Sequence, residues 1–122
     1  MNIEECYEEL DGNYADVSKR LPGLRLIEKF IEKFLEDKSF DTLRMQIECG
    51  NREEAFRAAH TLKGVCANLS FTRLLNSASR LTEDLRSQTS NVSDNTIELL
   101  KDVEHDYEIT VNAIRKYLDK SE

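Results

Sequence analysis

His60 has neighbours suited to bearing an anionic group. Lys63 follows it three residues on and Gly64 four residues on, within the stretch AAHTLKGVCANL. Neutral imidazole is a competent nucleophile, because its unperturbed pKa leaves a good unprotonated fraction at neutral pH. Attack on phosphorus would give a phosphoramidate, whose N–P bond is reactive enough to pass the group onward. Lys63 could offset the added negative charge as a mobile point cation. A glycine inside a helix costs on the order of 1 kcal/mol relative to alanine, so its place one turn from the histidine calls for a reason.

Helical phase separates the stretch into two faces. With about 100° of turn per residue and Leu62 at the centre of a core face, Ala55, Ala58, Ala59, Val65, Cys66 and Leu69 fall within roughly 60° of it. His60 then points roughly 160° away, outward. Glu53, Phe56, Arg57, Lys63, Gly64 and Ala67 share that outer face, with Phe56 and Gly64 one turn to either side of the imidazole. Each has a bland reading. An exposed histidine is usually a bystander, Lys63 a solvated charge, Gly64 a packing allowance and Phe56 a scattered apolar residue. Their convergence on one ring favours a site that bears an anionic group and meets a protein.

The remaining chemistry is sparse. Neither GxxxxGK[ST] nor GxGxxG occurs, and no acidic cluster flanks His60 to hold magnesium. The chain is thus expected to carry a phosphoryl group without cleaving a nucleotide, the metal coming from a partner. Cys6, Cys49 and Cys66 show no CxxC pairing and read as reduced, structural thiols, Cys66 in the core by its phase. His105, between Glu104 and Asp106, has no motif around it and reads as a bystander. Neither histidine has a second at HxxxH spacing, so no metal site is predicted.

These residues must be held by helices. The 122 residues include 34% charged and 39% hydrophobic ones, with a net charge of −7. That balance suits one globular domain that repels nucleic acid and anionic lipid. With no apolar run near the roughly 20 residues of a membrane span, and no secretory signal, a cytoplasmic location is expected. Apolar residues recur at spacings of three and four almost throughout. Ile3, Tyr7 and Leu10 predict a short helix closed near Gly12, and Asn13–Leu21 a second before the Pro22-Gly23 break. Leu24, Ile27, Ile31, Phe34 and Leu35, continued by Phe40, Leu43 and Ile47, predict one helix up to Gly50. Asn51 and Glu54 resemble a capping box opening a helix over 52–69. Ser70 is placed to cap the next, whose stripe is Phe71, Leu74, Leu75, Ala78, Leu81 and Leu85. Ser87–Ser93 reads as a loop before a last helix carrying Ile97, Leu100, Tyr107, Val111, Ile114 and Leu118. The expected fold is all-α: a single domain over 1–122, with N-terminal helical segments over 1–23 and an antiparallel four-helix bundle over 24–120.

Ala59-His60-Thr61-Leu62-Lys63-Gly64, followed by Ala67-Asn68-Leu69, closely resembles the signature of histidine-containing phosphotransfer (HPt) domains of bacterial two-component phosphorelays. EAFRAAHTLKGVCANLSFTRL, from Glu54 to Leu74, follows the family pattern nearly position by position, and the resemblance covers about residues 10 to 118. It implies a four-helix bundle whose exposed histidine exchanges a phosphoryl group with receiver-domain aspartates. His60 would be the phosphoacceptor, Lys63 would assist the phosphoryl group, and Gly64 would give clearance. Phe56, Arg57, Ala67 and Asn68 would belong to the docking surface, by helix phase more than by motif. Implied partners are the receiver domains of hybrid histidine kinases and response regulators. No cofactor is expected in this chain, with Mg2+ supplied by the receiver. Ser70 departs from the glycine the family often has at the turn after the histidine helix, which puts the detailed geometry of that turn in question.

A freestanding phosphocarrier is the leading expectation. The alternatives are an adaptor that binds a receiver or kinase without accepting phosphate, and the phosphoacceptor domain of a chemotaxis-type kinase. An independent enzyme is disfavoured, since no second catalytic residue is placed by sequence near His60 or a cysteine.

Overall fold

Residues 1–87 and 92–119 are described by the computed structural model, and every regular element among them is a helix. In chain order these are α1 (Ile3–Glu9), α2 (Tyr14–Arg20), α3 (Leu24–Glu36), α4 (Ser39–Glu48), α5 (Arg52–Leu69), α6 (Thr72–Ser87) and α7 (Asp94–Leu118). Of the loop predicted between Ser87 and Ser93, residues 88–91 lie outside the described residues.

The helix expected over 24–50 is two helices. Asp37 is extended (φ −67°, ψ 134°), and its carboxylate accepts the Ser39 N–H at 2.8 Å. A short acidic side chain bonding the backbone two residues on competes with helix continuation, and here it wins. The apolar stripe crosses the break undisturbed, which hid it from periodicity.

Gly50 ends α4 as expected. Its φ of 74° lets its own N–H reach the Ile47 carbonyl and the Asn51 N–H reach that of Gln46, a Schellman motif. The Asn51 side chain then accepts the Glu54 N–H at 3.2 Å. The reciprocal half of the predicted capping box does not form, because the Asn51 N–H is already committed to Gln46.

Helices α4 to α7 pack each against the next to form the bundle. Arg52 at the start of α5 donates to the Leu85 carbonyl near the end of α6. Asp84 near the end of α6 accepts from Asn95 and Thr96 at the start of α7, while Arg73 near the start of α6 reaches Asp106 midway along α7. Both pairs are therefore antiparallel. Helix α3 lies against α5 and α7, α1 against α7, and α2 against α3 and α5. One core runs through all seven helices, with Phe34 edge-on to Phe71 (5.1 Å) and Phe40 stacked on Tyr107 (4.2 Å). The predicted stripes hold in their centres and fail at their edges. Leu24 and Ile97, in the first turns of α3 and α7, are exposed, whereas Leu35, Val65, Leu75, Tyr107 and Leu118 are half-buried.

Candidate functional site

Helix α5 is anchored at both ends. Glu53 and Glu54 in its first turn suit the positive end of the helix dipole. Its C-terminus ends on Ser70 in the left-handed region (φ 57°), with the Ser70 N–H to the Ala67 carbonyl and the Phe71 N–H to that of Cys66. Ser70 thus adopts the geometry of a cap glycine, and it does not cap α6. Its hydroxyl instead donates to Asp16 at 2.7 Å and accepts from Arg20 at 3.0 Å. Those bonds offset the roughly 1 kcal/mol that a left-handed non-glycine residue costs.

The N-terminal helices supply the rest of that anchor. Arg20 donates to the carbonyls of Ala67 and Asn68, the Tyr7 hydroxyl to that of Leu69 (2.8 Å) and the Asn13 N–H to that of Ser70 (2.8 Å). The carbonyls at the end of α5 are therefore bonded by residues of α1, α2 and the turn between them, with a guanidinium at the negative end of the dipole. Gly12 makes the approach possible, since a Cβ there would sit 2.7 Å from the Ser70 carbonyl oxygen.

Along the outer face, His60 is exposed, as phase predicts. Lys63 is half-buried and takes part in none of the ion pairs among the described residues. Gly64 is exposed, and a Cβ built on it would meet nothing within 4 Å, so no packing contact requires a glycine. Ala67 and Asn68 are exposed. Arg57 is exposed and pairs along its own helix with Glu53 (3.7 Å) and Glu54 (3.4 Å). Phe56 is half-buried, its ring stacked against that of His60 with centroids 6.0 Å apart and planes 20° apart.

Beside this face runs a groove between α3 and α5 of about 430 Å³. Phe30, Phe34, Val65 and Leu69 make it apolar, and Lys33, Asp37, Thr61, Gly64 and Asn68 complete its lining. The α3 side of the groove is invisible to a phase argument confined to α5. Phe30, one turn before Phe34, was the available signal.

A family model for the Hpt domain matches residues 25–119. The chain belongs to the Hpt family. Hpt domains are phosphocarrier modules that act in histidine phosphotransfer within phosphorelays, where they interact with receiver domains. No curated protein and no solved structure gave a match. The matched region of this Hpt domain begins after α2, so the helices that finish the end of α5 lie outside it. Among the described residues no helix is long and apolar enough to cross a membrane.

The other candidates fall elsewhere in the Hpt domain. Cys66 is fully buried, and burial, with a smaller contribution from Asp37, drives its thiol pKa far above the ordinary range. Burial, and then Glu9, pushes the Cys6 thiol up to about 11. Both thiols are held protonated and enclosed. Cys49 departs from the structural reading, being exposed at the end of α4. His105 is exposed on α7 and lines a polar cleft together with the Arg73–Asp106 ion pair (2.8 Å).

Proposed function

We propose that His60 is the phosphoacceptor, taking a phosphoryl group from the aspartyl phosphate of one receiver domain and passing it to the aspartate of another. The lone pair of a neutral ring nitrogen forms the N–P bond as the acyl P–O bond breaks, and the aspartate leaves as carboxylate. The second ring nitrogen keeps its proton or releases it to solvent. Transfer onward reverses these steps, with imidazole as the leaving group. Lys63, free of carboxylate partners among the described residues, neutralises charge on the phosphoryl oxygens. Mg2+ is provided by the receiver.

The observation that carries this reading is the open space outside Gly64, one helical turn from an exposed imidazole. A helix gives up stability there with no return inside its own fold, so the vacancy serves something that arrives. Arg57, Ala67, Asn68 and the α3–α5 groove form the surface that meets the receiver, the groove taking apolar side chains and Lys33 marking its basic rim. The donor and recipient are the receivers of a hybrid histidine kinase and of a response regulator, met in the cytoplasm. Incubating the chain with a ³²P-labelled receiver should yield acid-labile, alkali-stable label on histidine, and His60→Gln should abolish it. Label persisting in His60→Gln would overturn the assignment.

A further inference from the structure

Phe56, placed by phase on the docking face, lies against the acceptor ring, and what holds Phe56 comes from another helix. Arg86 of α6 sets its guanidinium over the Phe56 ring, with Cζ 5.0 Å from the centroid. Glu83 one turn earlier on α6 fixes that guanidinium, its carboxylate 3.3 Å from Nε. The order is therefore Glu83, Arg86, Phe56, His60: an ion pair, a cation over a π face, and an offset stack of two rings.

We propose that Phe56 and Arg86 are positioning residues that aim the His60 imidazole for phosphoryl transfer. The proposal rests on His60 as the acceptor. An exposed histidine on a helix turns about two side-chain torsions, and few of its orientations point a nitrogen lone pair along the line of attack. Whichever ring nitrogen is unprotonated, its lone pair lies in the ring plane. A stack against one face restricts rotation of the ring while leaving its edges, and so both nitrogens, uncovered. In phosphoryl transfer, alignment of nucleophile and phosphorus supplies much of the catalysis, so restricting the ring raises the fraction of encounters that are in line. Arg86 acts one layer back: it immobilises the Phe56 ring through its π face and has no need to touch the phosphoryl group. The competing account makes Phe56 part of the receiver-binding surface, and it differs in which kinetic constant moves.

The test is single-turnover transfer from a phosphorylated receiver to the full chain, with receiver concentration varied, combined with NMR relaxation of the His60 ring C–H groups in the chain alone. Phe56→Leu keeps apolar bulk and removes the stack. It should lower the maximal transfer rate roughly three- to tenfold, leave the half-saturating receiver concentration unchanged, and increase the ring's fast motion. Phe56→Tyr should restore both rate and ring order. Arg86→Gln should lower the maximal rate about two- to threefold with an unchanged melting temperature, and Arg86→Lys should recover part of it. A wild-type maximal rate in Phe56→Leu, or a change confined to half-saturation, would overturn the proposal. Unchanged ring motion in Phe56→Leu would overturn it too, without reference to any receiver. Absence of label on His60 in the wild-type chain would instead remove the acceptor reading, a failure separable from that of the stack.

Discussion

Replacing Gly64 with alanine should make this protein more stable, and replacing it with glutamine should make it a poor phosphocarrier. Position 64 is exposed and helical, and a Cβ there meets no heavy atom within 4 Å, so alanine loses no contact and clashes with nothing. The gain is then the helix-propensity difference, about 0.8 to 1.0 kcal/mol. At about 2.1 cal/mol/K of unfolding entropy per residue, 122 residues carry about 0.26 kcal/mol/K, so the midpoint should rise by about 3 to 4 °C. Glutamine forms helices nearly as well as alanine and should also melt at or above the wild-type temperature. Its side chain, however, extends into the space outside the helix beside His60, and misplacing the reacting groups by an ångström costs up to roughly a hundredfold in rate. Calorimetry with single-turnover transfer on the same preparations separates the two effects. A lowered midpoint in Gly64→Ala would show that the fold itself needs the glycine, and wild-type transfer by Gly64→Gln would remove the clearance argument.

Three further expectations concern the frame around the site. Ser70→Ala keeps the left-handed strain and loses the bonds to Asp16 and Arg20, whereas Ser70→Gly loses the bonds and the strain together. Urea titration should therefore find the alanine variant less stable than the glycine variant by about 1 kcal/mol, and equal stabilities would refute the account. Hydrogen bonds from Ser70 and then Arg20 hold the Asp16 carboxyl below its ordinary pKa of 3.8. Because folding lowers that pKa, the Asp16 contribution is fully present above the unfolded value and is lost as pH falls through the folded one. The gap in urea midpoint between wild type and Asp16→Asn should thus shrink from about pH 6 to about pH 3, and a constant gap would show that the charge is not what matters. Iodoacetamide should modify Cys49 alone in the native chain and reach Cys6 and Cys66 only in denaturant, as peptide mass spectrometry would report. Native labelling of Cys66 would contradict its burial.

Much of the fold was legible because helical periodicity is a strong signal where one face is continuously buried. Leu62, Cys66 and Leu69 declared the inner face of α5, and with it the outward direction of His60. What escaped was decided by single hydrogen bonds or by neighbours distant in sequence. The break at Asp37 turns on one carboxylate accepting the Ser39 N–H. Ser70 has the side chain of an N-cap, yet Asp16 and Arg20, some fifty residues earlier, claim its hydroxyl and leave it as a C-terminal cap. At the site, the groove needs Phe30 from α3 and the stack needs Arg86 from α6, and no phase calculation on α5 contains either residue.

The attachment of the first helices to the end of α5 bears on the order in which the chain can assemble. On the ribosome α1 and α2 emerge ahead of α5, yet the carbonyls they satisfy belong to residues 67–70, and the α1 surface waits longer still, for α7, where the Cys6 thiol meets the Ala113 carbonyl. Loops of about fifty to sixty residues must therefore close before α5 has a finished C-terminal turn, a non-local event in a protein whose other contacts are mostly between adjacent helices. The segment that completes α5 is thus synthesised before it, yet is locked in place only once α5 has formed.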